Sequence, residues 1–161
     1  MEVNDTTDYQ RCFACGQRNE HGLHMVFRQE ENTVVCDIQP HAEHQGFPGI
    51  IHGGIIATML DEAMNRTSLF MQDPTWMMTG RMEVRYRRYV PYGPLLRVRA
   101  WLGSQRRRLI EAHGKVTLAE DETVVFAEST GTFLSLTPAM LDEMMKEYPG
   151  MRNFFANEET R

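Results

Sequence analysis

The stretch HGGIIATMLDEAM, residues 52–64, decides the fold. It opens on two glycines and runs into apolar residues at helical spacing. Ile55, Ile56, Met59, Leu60, Ala63 and Met64 form one arc, and the pattern predicts a helix over 55–72 that Asp73–Pro74 ends. Ahead of it lies PHAEHQGFPGIIHGG (40–54), a loop with three histidines, four glycines and two prolines. Gly53 and Gly54 sit where loop becomes helix, and glycine permits close approach of a backbone or a ligand. A helix N-terminus presents unpaired N–H groups and a partial positive charge of about 0.5. Such a spot suits a carbonyl oxygen that turns into an oxyanion. Asp61 stands seven residues past Gly54, about two turns on, near the same azimuth and opposite the apolar arc. On spacing alone Asp61 also reads as a solvated charge, and the glycine pair as a cap or hinge.

Strand-like segments flank this helix. LHMVFR (23–28) and NTVVCDIQ (32–39) precede it, with a hairpin turn at Glu30–Asn32. Segments near 76–90, 95–104, 106–119 and 123–136 follow. In the first of these Met82, Val84 and Tyr86 share one face, while Arg81, Glu83, Arg85 and Arg87 share the other. VPYGPL (90–95) reads as a turn, and Ser104–Gln105 and Glu120–Glu122 as hairpin connections. Thr137–Pro138 opens a last helix to about Tyr148, with Leu141, Met144, Met145 and Tyr148 on one face. The tail after Gly150 reads as loosely ordered. Strands joined by hairpins cannot form an all-parallel sheet. The expectation is an α+β chain: one antiparallel sheet packed on one helix, with water or a partner on the sheet's other face. The divisions expected are an N-terminal segment 1–22 with the CxxC, a sheet-and-helix domain 23–136, and a C-terminal helix and tail 137–161.

Composition bounds the rest. The chain has 161 residues, 42% apolar and 24% charged, which suits one globular domain. Its net charge of −5 excludes a globally basic nucleic-acid binder. No apolar run approaches the roughly 20 residues of a membrane span. The polar, acidic start MEVNDTTDYQ lacks a signal-peptide profile, so a cytoplasmic protein is expected. The three cysteines, Cys12, Cys15 and Cys36, form no disulfide framework. Cys12-x-x-Cys15 has the spacing that begins a zinc site. His21, His24, His41 and His44 complete no known finger spacing, so no metal is assigned and the pair is read as structural. Met59, Met64, Met77, Met78 and Met82 lie beside the helix motif in sequence and suit core packing or a pliable apolar pocket.

Nine of the 17 basic residues are arginines between Arg81 and Arg108. Alternation puts many on one exposed face. Arginine binds phosphates through paired hydrogen bonds, whereas a solvated face paired with Asp and Glu is the plainer reading. Arg87, Arg88, Arg106, Arg107 and Arg108, near strand ends, are the candidates for a phosphate-bearing ligand.

These motifs together resemble the hotdog-fold acyl-CoA thioesterases of the PaaI-like group. The resemblance spans about residues 12–135: CFACGQRNEHGL, QGFPGIIHGG, MLDEAM, MTGRMEVRYRRYVPYGPLLRVRA and FAESTGTFL. The HGG–Asp spacing joined to the strand Thr-x-x-apolar-x-apolar-x-Tyr-x-Arg-x-apolar-Pro is its most specific part. It implies a long antiparallel sheet wrapped on a central helix, a homodimer or homotetramer with sites between subunits, and an acyl-CoA substrate without a cofactor. It implies that the Gly54 N–H holds the thioester carbonyl, with Gly53 allowing the approach. Asp61 is then general base or nucleophile, and Thr79 faces the site from the other subunit. His52 orients the loop or touches the carbonyl side. Some family members carry an Asn at the position of Gly46; here Gln45 is the nearest amide. A non-catalytic acyl-CoA-binding regulatory protein of the same fold is the alternative, and a zinc-dependent interaction module on Cys12 and Cys15 is a third.

Overall fold

The computed structural model describes residues 9–70 and 75–149. The expected loose tail after Gly150 and the helix-ending Asp73–Pro74 lie outside them. The chain divides into two compact units, Met25–Ser135 and Met1–His24 with Leu136–Arg161.

The larger unit holds six strands and one long helix. They are β1 (Arg28–Glu30), β2 (Thr33–Ile38), α1 (Gly53–Arg66), β3 (Met77–Tyr86), β4 (Leu96–Arg106), β5 (Leu109–Leu118) and β6 (Val125–Ser135). All pairings are antiparallel, in the order β1-β2-β4-β5-β6-β3. The expected antiparallel sheet on one helix is what forms. β3 lies at an edge of the sheet, so one side of its backbone ladder meets no other described strand.

The helix packs because its arc is apolar. Ile56, Met59, Leu60 and Met64 are at most 1% exposed, and burying each such side chain stabilises by roughly 1.5–3 kcal/mol. The sheet on which α1 packs contributes the buried residues Val34, Val98, Ile110, Val116 and Phe133. A Cβ on Gly114 of β5 would lie 3.1 Å from Leu60 Cδ2, so the bare backbone there lets the helix lie close to the sheet. The helix proper stops at Arg66 and continues as a 3-10 turn, Thr67–Phe70. Arg66 is held by Glu62 at 3.0 Å and lies 5.5 Å over the Phe27 ring. Met77 is also buried, whereas Met78 is 50% exposed.

Several expected boundaries move: α1 starts at Gly53 and not at 55, and the strand expected near 76–90 ends at Tyr86. The strand expected at 23–28 begins only at Arg28, where pairing with Val35 of β2 starts, and His24 takes a left-handed φ of 50°. The turn expected at Ser104–Gln105 falls at Arg107–Arg108, with Arg107 at φ 54°. Gly103 and Ser104 instead occupy a register shift between Leu102 and Gln105, so turn-forming residues serve an irregularity inside the ladder.

The smaller unit holds a 3-10 turn, Tyr9–Arg11, a loop closed by Leu23 N–H donating to Phe13 C=O at 2.8 Å, and α2 (Pro138–Glu147). The Thr137 hydroxyl caps α2 by accepting from Met140 N–H at 3.2 Å, and Pro138 occupies the first turn, as the sequence suggested. Cys12 and Cys15 are half-buried and form no disulfide. Among the described residues no helix is long and apolar enough to cross a membrane.

Candidate active site

The site grows from the two ends of α1. At its start His52 is the cap residue, with an extended backbone (φ −62°, ψ 136°). Its Nδ1 accepts from Gly54 N–H at 2.9 Å. The imidazole thus takes the place usually filled by a Ser, Thr, Asn or Asp oxygen. The Gly54 N–H, expected to hold the carbonyl, makes this cap bond in the structure. The first helical N–H, that of Gly53, has no hydrogen-bond acceptor among the described residues, as helix geometry dictates for that position.

The loop before it is firmly built. Gly46 N–H donates to Ile50 C=O, Ile51 N–H to Val90 C=O, and His52 N–H to His44 C=O, at 2.8–2.9 Å. Gln45 Oε1 accepts from Gly49 N–H at 3.0 Å, so the amide nearest the absent Asn is engaged inside the loop. A Cβ at Gly46 would lie 3.1 Å from His52 Cδ2. A side chain there would push on the capping ring.

Two turns on, Asp61 is half-buried and accepts from Thr79 Oγ1 at 2.7 Å. Burial raises its carboxyl above the ordinary value; the Thr79 hydroxyl pulls it back and the neighbouring Glu62 adds to the rise. Glu62 itself is tied to Arg66. Of the two adjacent acids, Glu62 is thus paired with a cation and Asp61 with a hydroxyl. The resemblance placed Thr79 on the other subunit, but β3 carries it to Asp61 of its own chain, because β3 runs beside α1. Asn65 Nδ2 donates to Met77 C=O at 3.0 Å and sets that alignment.

One residue with no role read from the sequence belongs here. Tyr86, at the far end of β3, donates its hydroxyl to Gly53 C=O at 2.7 Å. A Cβ on Gly53 would lie 3.5 Å from the Tyr86 ring. The alternation of β3 put Tyr86 on the helix side, but only the sheet register put it over Gly53.

The arginines separate into two kinds. Arg97 is paired with Asp37 at 2.6 Å and Glu122 at 3.3 Å; Arg99 is paired with Glu122 at 2.8 Å and Glu30 at 3.0 Å. Lys115 joins Glu122 at 3.2 Å. This network covers the sheet face away from α1 and is structural. Arg87 is exposed yet paired with Glu128 at 2.6 Å, and Arg108 Nε donates to Ser135 C=O at 3.1 Å. Arg88, Arg106 and Arg107 are exposed. Arg87 and Arg88 lie at the Gly53 end of the sheet, while Arg106, the last residue of β4, and Arg107–Arg108 of the β4–β5 turn lie beside the end where β3 starts. A cavity of about 340 Å³ lies elsewhere, lined by Glu83, Arg85, Trp101, His113, Glu128 and Thr130; it includes neither Asp61 nor Gly53.

An antiparallel sheet curled on one helix, with a capped glycine turn at the helix start and a raised carboxylate two turns below, describes the hotdog architecture. Residues 48–125 match the family model described as the thioesterase superfamily. The chain is similar to acyl-coenzyme A thioesterase THEM4 of Bos taurus, 28% identical over 116 residues, covering 71% of this chain and 46% of that protein. It spans about half the length of the curated relatives it matches. Among solved structures it shares its fold with zebra fish thioesterase superfamily member 2 (TM-score 0.67, 18% identity, 85% of this chain and 99% of that one). It also shares it with a Streptococcus mutans protein solved bound to acetyl CoA (TM-score 0.62, 18% identity, 70% and 88%).

Proposed function

We propose that the chain hydrolyses acyl-CoA thioesters, with Asp61 as general base or nucleophile and a helix N-terminal N–H on the carbonyl oxygen. The observation that carries this is the Asp61–Thr79 pair, a half-buried carboxylate whose pKa burial has raised and which a hydroxyl orients. The THEM4 relatives are named acyl-coenzyme A thioesterases, and the Streptococcus mutans neighbour binds acetyl CoA, both in line with this reading. The N–H is that of Gly53, since Gly54 is committed to His52.

Asp61 and Gly53 of one chain do not serve the same carbonyl. They are eight residues apart on one helix, so about 12 Å along its axis, whereas base, carbonyl carbon and oxygen donor must lie within about 3 Å of one another in turn. A second copy resolves this. The open edge of β3 is a ready pairing surface. Antiparallel β3–β3 pairing about a two-fold axis sets the Tyr86 end of one strand beside the Met77 end of the other. That brings Gly53 of one copy toward Asp61 of its mate, twice. The same operation unites Arg87 and Arg88 with Arg106–Arg108, which one chain holds apart, into a basic rim suited to the CoA phosphates.

The test is hydrolysis of a panel of acyl-CoA thioesters by wild type and Asp61→Asn. Loss of at least about 10²-fold is expected in the variant. Equal activity in both removes Asp61 from the chemistry. Tight acyl-CoA binding without turnover by wild type would instead favour a binding protein.

A further inference from the structure

We propose that Tyr86 is a positioning residue that acts through the Gly53–Gly54 peptide to hold His52 in a single tautomer, with Nε2–H facing outward as a second donor beside Gly53 N–H. The kinetic part rests on the thioesterase reading; the tautomer part does not.

One peptide unit is gripped at both ends. Its C=O, on Gly53, accepts from the Tyr86 hydroxyl at 2.7 Å, and its N–H, on Gly54, donates to His52 Nδ1 at 2.9 Å. The two bonds run in the same sense, hydroxyl to carbonyl and then N–H to ring nitrogen, so each polarises the other. A backbone N–H only donates, so Nδ1 must present its lone pair. In the neutral ring the proton then sits on Nε2. His52 is exposed, and it directly precedes the Gly53 N–H, which has no acceptor among the described residues. The ring is braced as well as bonded, because its Cδ2 edge lies against the Gly46 backbone, where a Cβ would come within 3.1 Å. Burial raises the Tyr86 phenol above its ordinary value, so it stays a donor at neutral pH.

A tyrosine that merely packs on the helix start would do as well without its hydroxyl. Tyr86→Phe separates the two, since it keeps the ring against Gly53 and removes only the donor. His52→Asn keeps a cap acceptor at the place of Nδ1 and removes the distal donor. The measurements are kcat and KM on one acyl-CoA, and the 15N resonances of the His52 ring in labelled protein at neutral pH.

Wild type is expected to show His52 as one neutral tautomer, protonated on Nε2, and Tyr86→Phe to show a mixture. Tyr86→Phe is expected to lower kcat about five-fold, the worth of one neutral hydrogen bond, with KM within about two-fold. In the His52→Asn background the same change is expected to alter kcat by less than about two-fold, because the relay no longer ends on a donor. An unchanged 15N pattern in Tyr86→Phe overturns the proposal, as does a loss of equal size in the His52→Asn background or one confined to KM. If wild type hydrolyses no thioester, the thioesterase reading fails and the 15N pattern alone decides the relay.

Discussion

A site assembled from two copies predicts complementation between two dead variants. Asp61→Asn removes the proposed base or nucleophile. Gly53→Pro removes one N–H and little else. Gly53 is the first residue of α1, where proline is well tolerated, and His52 before it already has the extended backbone that a following proline demands. Gly53→Ala is the control, because it keeps the N–H and its Cβ meets the Tyr86 ring at an ordinary 3.5 Å. Each of the first two variants alone should be at least about 10²-fold down in kcat. The two are then mixed in equal amounts, dissociated in mild denaturant and reassociated. Random pairing makes half the dimers mixed. Each mixed dimer has one site carrying both lesions and one carrying neither, so recovery should reach about a quarter of wild-type activity. The assay is thiol release from an acyl-CoA, followed with a thiol reagent before and after mixing. No recovery, with mixed dimers verified by mass, would refute the reasoning. It would mean that the carboxylate and the N–H act within one chain despite about 12 Å of helix between them.

Three further outcomes follow from the geometry. Asp61 must be ionised to act, and burial lifts its pKa above 3.8, so kcat/KM should fall on an acidic limb that lies above that value. Thr79→Val removes the bond that lowers this pKa, so the limb should move to higher pH; a limb that stays put excludes Asp61 as its origin. Glu122, held at about 2 by Arg99, Lys115 and Arg97, has a folded pKa below its ordinary 4.5, so its contribution is full above pH 4.5 and is lost as pH falls toward 2. That shift sets a ceiling of about 3 kcal/mol, which solvent access to a side chain 29% exposed screens to about 1–2 kcal/mol. Glu122→Gln should therefore lower Tm by about 3–6 °C at pH 7 and match wild type near pH 2, as measured by thermal unfolding across pH. Arg88→Ala and Arg107→Ala should each raise KM about five-fold at low salt, and less at high salt. Arg97→Met should lower stability while leaving KM within about two-fold. A KM effect at Arg97 equal to that at Arg88 would contradict the division of the arginines.

Much of this was legible in the residues. The helix, its apolar face and its relation to Asp61 follow from a period of 3.6. The six strands and their hairpins follow from alternation and turn chemistry, because each is set by neighbours a few residues away. The errors were local as well: His24 and Arg107 adopt left-handed backbones that no composition rule demanded. The arginines show a different limit. Alternation put Arg97 and Arg99 on an exposed face, but their partners Asp37, Glu30 and Glu122 reach them across strands or from a distant turn. No local pattern separates such a paired arginine from an open one such as Arg88.

The sequence by itself determined a glycine turn feeding a helix, a carboxylate two turns along it, and an antiparallel sheet to hold both. Only the tertiary structure decided how those groups are committed. The Gly54 N–H goes to His52, Thr79 meets the Asp61 of its own chain, Glu62 is taken by Arg66, and Tyr86 arrives over Gly53. The physical reason is range. Periodicity records which face a side chain takes within an element. A hydrogen bond between residues 18 or 33 positions apart, as for Thr79 and Tyr86, depends on the register of the sheet and the angle at which the helix lies on it. Those are set by the packing of the whole core.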